Sequence, residues 1–147
     1  MPALQGSIVV SQPPSVVFAF LRDPKNNLKW ETGLEVSELT SPAPMTQGST
    51  GRRVDKIMGR NEGTWKVTEF EQDRVIGMTF DSQKLNGWGR WRLAQEGAGT
   101  RIDYEFSAGA KGLLGKVMTF LFQPMMKGAV AKDYRKLKAA LENGAVK

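Results

Sequence analysis

The sequence predicts an α+β domain in which a strongly bent antiparallel sheet wraps around one long C-terminal helix. Three observations carry this expectation. From Lys111 to Glu142, the residues Val117, Phe120, Leu121, Pro124, Met125, Gly128, Tyr134, Leu137 and Leu141 recur at steps of three and four, the spacing of a helical face. From Leu34 to Ala108, short strand-like runs alternate with turn chemistry and no helical pattern intervenes. Neither element buries its apolar side alone, and helices gathered on one face of an antiparallel sheet define the α+β class.

Leu4 to Ser11, with Ile8, Val9 and Val10, predicts a first strand that Pro13 and Pro14 stop. Pro14 suits a first helical turn, and Val16, Val17, Phe18, Phe20 and Leu21 give a short apolar helix that Asp23-Pro24 ends. A second short helix or turn follows over Lys25 to Trp30. Six strands come next: Leu34 to Leu39, Thr50 to Met58, Thr64 to Phe70, Arg74 to Phe80, Trp88 to Gln95 and Thr100 to Phe106. Ser41 to Gly48, with two prolines, is a loop, and Glu71-Gln72-Asp73 and Glu96-Gly97-Ala98-Gly99 turn two hairpins.

Alternation sets the faces. Ile102, Tyr104 and Phe106 point toward the long helix with Trp91 and Leu93, while Arg101, Asp103, Glu105, Arg90 and Arg92 point away. In Thr64 to Phe70, Glu69 shares the parity of Trp65 and Val67, which brings a carboxylate toward the interior and leaves Phe70 at odds with the pattern. In the long helix, Pro124 removes a backbone hydrogen bond and predicts a bend or break, and Gly128 weakens the helix unless another backbone approaches it.

The chain has 147 residues, enough for a single domain spanning 1–147. It contains no Cys and no His. That excludes disulfides, Cys nucleophiles, His bases, Ser-His-Asp triads and the usual zinc sites, so no metal and no cofactor is expected. The absence of Cys fits a reducing compartment, the N-terminus has no signal-peptide pattern, and the run from Leu113 to Met126 is too short and broken to span a bilayer. A cytoplasmic protein is expected. The net charge of +6 is scattered along the chain and reads as a solvated basic surface.

Two short motifs fail on inspection. Gly109, Gly112, Gly115 and Lys116 lack the spacing and the Ser or Thr of a phosphate loop, and they fit a strand-to-helix turn instead. Trp88-Gly89-Arg90-Trp91-Arg92 interleaves aromatics and arginines, but rings and guanidiniums are expected on opposite faces of the strand, so no nucleic-acid partner is expected.

The chain resembles the SRPBCC (START-like, helix-grip) superfamily, and most closely its bacterial polyketide cyclase/dehydrase branch. Ile8 with Pro13-Pro14 and Val17-Phe18, Phe20-Leu21-Arg22-Asp23-Pro24 with Trp30, Gly48 before a strand, Trp91 with Leu93, Gly99-Thr100-Arg101, and Leu137-Lys138 with Leu141-Glu142 carry the likeness over nearly the whole chain. The resemblance implies seven strands gripping the C-terminal helix, two short helices after the first strand, and an apolar cavity between sheet and helix. It transfers no catalytic residue.

A small hydrophobic or aromatic molecule, lipid or polyketide-like, is therefore the expected partner. Its expected contacts are Trp65, Met78, Phe80, Trp91, Tyr104, Phe106, Phe120 and Met125. A pocket of this kind holds roughly 300 to 1,000 Å³. Among the acid-base candidates Asp55, Glu69, Asp103 and Tyr104, the interior-facing pair Glu69 and Tyr104 would serve a cyclase or dehydratase. A third reading takes the apolar stretch Leu113 to Phe122, with Lys111 and Lys116, as a lid that touches an anionic membrane transiently during lipid transfer. The oligomeric state is not legible in the sequence.

Overall fold

Hydrogen bonding orders the strands of the single sheet as β1-β7-β6-β5-β4-β3-β2, every neighbouring pair antiparallel. The computed structural model describes residues 4–56 and 59–143, apart from the side chains of Ala110, Leu114, Lys116, Met118, Thr119, Phe120, Phe122 and Gln123. The strands are β1 Leu4–Val10, β2 Leu34–Leu39, β3 Thr50–Asp55, β4 Asn61–Glu71, β5 Val75–Ser82, β6 Leu85–Glu96 and β7 Gly99–Ala110. Helix α1 is Pro14–Arg22, a 3-10 helix covers Pro24–Lys29, and α2 is Leu113–Glu142. The result is the expected α+β helix-grip arrangement, a curved seven-stranded sheet with a long C-terminal helix and two short helices after β1. β3 stops at Asp55, and the end of that expected strand, residues 57–58, lies outside the described residues.

Local chemistry explains the helical opening. Pro14 occupies the first turn of α1, where a missing N–H costs nothing, and Val17, Phe18, Phe20 and Leu21 are buried. The Asp23 carboxylate accepts from the Lys25 N–H at 3.1 Å and caps the 3-10 helix. Gly112, at φ 89°, makes the turn from β7 into α2.

Cross-strand registers define the concave face in rows. Gly51, Trp65, Phe80, Gly87 and Ala108 form one row, and Val67, Met78, Gly89, Phe106 and Leu4 the next. A third row runs through Phe70, Ile76, Trp91, Tyr104 and Gly6. The indole of Trp65 lies across Gly51, where any β-carbon would collide with it. At the opposite edge, β2 shifts register between Leu34 and Val36 and carries Glu35 and Glu38, which pair with Lys56 and Arg52 at 3.3 and 2.9 Å.

Helix α2 departs from the sequence reading in two ways. It runs unbroken through Pro124, so the expected break is absent. Its two halves also present different faces. Tyr134, Leu137 and Leu141 are buried with Val130 and Ala140 beside them, whereas Leu113, Val117, Leu121 and Met125 are 82, 51, 64 and 69 % exposed. Steps of four overshoot a 3.6-residue turn by about 40° each, so a row spaced by four walks around the helix. Met125 and Tyr134, nine residues apart, lie on opposite sides.

The C-terminal half is tied down by polar contacts as well. Glu142 accepts from the Ser11 N–H and hydroxyl at 3.1 and 2.8 Å, and the Gln12 amide donates to the Leu141 carbonyl at 3.1 Å. Asp133 accepts from the Thr32 N–H and hydroxyl at 3.2 and 2.6 Å, and Lys136 donates to the same hydroxyl at 3.1 Å.

Two substitutions test this division. Leu137 is fully buried, so Leu137→Ala should lower the unfolding free energy by about 2 to 5 kcal/mol in denaturant titrations. Gly128 is exposed and nothing approaches the position of a β-carbon, so Gly128→Ala should stabilise the protein by about 0.5 to 1 kcal/mol.

Candidate functional site

The middle of the concave face is apolar and incompletely covered. Trp65, Val67, Ile76 and Ile102 are buried, yet Met78, Phe80, Trp91 and Phe106 keep part of their surface exposed. Gly87, Gly89 and Ala108 extend little or nothing from the sheet beside them. At Gly89 the nearest atoms to a β-carbon would be Phe106 Cβ at 3.6 Å and the Glu105 carbonyl at 4.0 Å, ordinary contact distances, so a side chain there would meet no clash at its first atom. A face built this way leaves room for an apolar guest under the helix.

The C-terminal half of α2 closes one end of that face through an aromatic node. Tyr134 stacks on Tyr104 with ring centroids 3.6 Å apart and planes within 3° of parallel. Trp30 tilts against Tyr134 at 5.0 Å and against Trp91 at 6.2 Å. The Trp91 Nε1–H donates to the Tyr134 hydroxyl at 2.6 Å. Gly6 on β1 makes the space into which the Tyr104 hydroxyl reaches. Burial pushes the Tyr134 phenol far above its ordinary pKa, with the nearby Glu31 charge adding to the rise, so it stays a neutral hydroxyl. Burial also raises Tyr104, opposed by the charge of Arg135.

Beside this node lies a charged group that the sequence did not reveal. Glu31 follows Trp30 and pairs with Arg53 at 3.4 Å, while Asp55 is buried 3.9 Å from the same guanidinium. Loss of solvent pushes the Glu31 carboxyl up from its ordinary value, and Arg53 offsets part of that rise. Trp30 Nε1 is buried and has no hydrogen-bond partner among the described residues.

Of the expected ligand contacts, Met78, Phe80, Trp91 and Phe106 come together on the concave face, Trp65 sits beneath them in the core, and Tyr104 belongs to the node. The Phe120 side chain lies outside the described residues. Met125 is exposed on the far side of α2 and does not join the group.

Glu69 is on the outer face, against expectation. β4 shifts register between Val67 and Glu69, and that bulge adds one residue, so Phe70 turns inward onto Phe18, with centroids 5.4 Å apart, and Glu69 turns outward. There Arg90 grips it through Nε at 2.8 Å and through Nη2, and its Nη1 donates to Glu105 at 3.3 Å. Asp103 shares this outer face and accepts from Arg101 at 3.3 Å. A shallow concavity of about 390 Å³ opens there among Gln5, Ser7, Arg90, Arg92, Asp103 and Glu105. Trp88 is on that side too, with the Arg90 guanidinium 5.7 Å from its ring, so only Trp91 of the two tryptophans faces away from the arginines.

No group of three or more His, Cys, Asp or Glu able to hold a metal occurs among the described residues, nor does any helix long and apolar enough to cross a membrane.

Comparison with known proteins gives a consistent result. The family model for polyketide cyclase / dehydrase and lipid transport matches residues 1–142. A search of curated proteins returns no match. Among solved structures, TTHA0849 from Thermus thermophilus superposes with TM-score 0.75 at 19% identity over 95% of this chain and 97% of its own. A START superfamily protein from Mycobacterium smegmatis gives 0.73 at 14% identity over 96% and 94%. The Zhui aromatase/cyclase from Streptomyces sp. R1128 gives 0.68 at 16% identity over 95% and 90%. At these identities the likeness shows a shared fold.

The node makes two predictions. Tyr134→Phe strands the Trp91 indole N–H and should cost about 1 to 3 kcal/mol, and combining it with Trp91→Phe should cost clearly less than the two changes added separately. Glu31 holds its proton more tightly in the folded than in the unfolded chain. Its share of stability is therefore complete below the ordinary glutamate range and declines as pH rises through its raised folded value. Urea midpoints measured across that window should fall less steeply for Glu31→Gln than for the parent protein; parallel profiles would remove Glu31 from the account.

Proposed function

The chain belongs to the polyketide cyclase / dehydrase and lipid transport family, and from that premise we propose that it binds a small hydrophobic or aromatic molecule between the concave face and α2. The observation that carries the reading is the part-exposed group Met78, Phe80, Trp91 and Phe106, beside Gly89, in the middle of the apolar concave face. Lipids and polyketide-like aromatics share the chemistry that such a surface recognises, an extended apolar body with few polar atoms. Cavity residues also include Trp65 and Tyr104 in this proposal. The absence of cysteine favours a cytoplasmic setting.

Two further activities build on the same cavity. Cyclase or dehydratase chemistry needs an interior acid or base; Glu69 faces outward in the grip of Arg90, so that reading falls to the buried Tyr104. Carriage of the bound molecule to or from a membrane is favoured by the net charge of +6, and that use requires a surface that meets lipid.

Titration with oleic acid and with aminoanthracene, followed by tryptophan fluorescence, should give a saturable change through Trp65 and Trp91. Gly89→Leu adds a side chain to the concave face with its β-carbon at ordinary contact distances, so it should fold normally and reduce affinity for both probes at least tenfold. A filled core predicts the reverse: no saturable change in the parent protein, and destabilisation by about 1 to 3 kcal/mol from overpacking in Gly89→Leu.

A further inference from the structure

The outer side of α2 is divided along its length. Leu113, Val117, Leu121 and Met125 form an aliphatic row that is more than half exposed throughout, and Gly128 continues the same side with open space around it. Lys132 and Arg135 follow in the same angular sector, both exposed. The charged residues of the helix before Glu142 are Lys116, Lys127, Lys132, Asp133, Arg135, Lys136 and Lys138, six cations against one anion. The anion, Asp133, is occupied by Thr32. Among the described residues, Lys127, Lys132, Arg135 and Lys138 form no ion pair.

We propose that this outer side of α2, apolar from Leu113 to Met125 and cationic at Lys132 and Arg135, docks on an anionic lipid bilayer. Four large aliphatic side chains facing water have a cost that burial at the boundary between head groups and acyl chains removes. The unpaired cations beyond them meet the lipid phosphates and hold the helix in the plane of the surface. A helix of this length and composition lies on a bilayer and cannot cross it. A second copy of the chain is the poorer occupant, because it would bring the same cations toward this one. Nucleic acid would satisfy the cations and leave the aliphatic row uncovered.

The surface gives the proposed carrier its contact with membrane and rests on the ligand reading for its purpose, while the docking itself stands on α2 alone. The test is sedimentation of the full chain with vesicles of equimolar phosphatidylcholine and phosphatidylglycerol, against phosphatidylcholine alone, at low and high salt. Binding is expected to the anionic vesicles, at least tenfold weaker to neutral ones, and weakened by salt. Val117→Ser with Leu121→Glu should abolish it, and Lys132→Glu with Arg135→Glu should reduce it at least fivefold and flatten the salt dependence. Both changes lie on exposed positions, and circular dichroism melts confirm folding. Equal binding to both vesicle types, no binding, or loss of a dimer in sedimentation velocity without any vesicle binding overturns the proposal. Aminoanthracene titration in vesicle-free buffer separates the two readings: if the probe still binds while vesicles do not, only the docking surface fails, and if vesicles bind while the probe does not, only the cavity fails.

Discussion

Closure of the concave face onto α2 depends on one contact, the stack of Tyr134 on Tyr104 with the Trp91 indole bonded to the Tyr134 hydroxyl. A phenol buried this deeply needs a partner, and the sheet supplies one from the strand beside Tyr104. The helix is thereby fixed in rotation as well as in position, since turning it by one residue would strand both groups. Leu137 and Leu141 follow into the core from that orientation, and the aliphatic row nine and thirteen residues earlier is carried to the opposite side. The exposed stripe is a consequence of where the buried end must point.

Much of the fold was legible because it depends on local chemistry. Leu34 to Leu39 matches β2 at both ends, the Pro14 start of α1 follows from proline geometry, and the inward parity of Ile102 and Tyr104 held through β7. The hairpin strands extend beyond their apolar residues because backbone pairing continues after alternation fades, as in Leu85 to Trp88.

What was not legible comes from phase errors and from long-range partners. A single extra residue at Thr68 reverses every assignment after it, and Phe70 was the signal, since an aromatic out of phase with Trp65 and Val67 marks a bulge. In α2, residues at steps of three and four resemble one face, yet the row drifts around the helix when fours accumulate. In β6, parity alone places Trp88 with Arg90 and Arg92. Glu31 gave no such sign: its environment is made by Arg53 and Asp55 on β3 and by Asp133 on α2, all distant in sequence.

The irregular start of β2 bears on how the molecule behaves among its own copies. An edge strand offers unsatisfied amides and carbonyls to any extended segment that drifts past. Here the shift between Leu34 and Val36 interrupts the regular spacing of those groups, with the Glu35 carboxylate at the interruption and that of Glu38 just beyond it. A second sheet arriving at this border would meet a broken register and two charges to desolvate, so the open side of a seven-stranded sheet is kept from growing into a fibril.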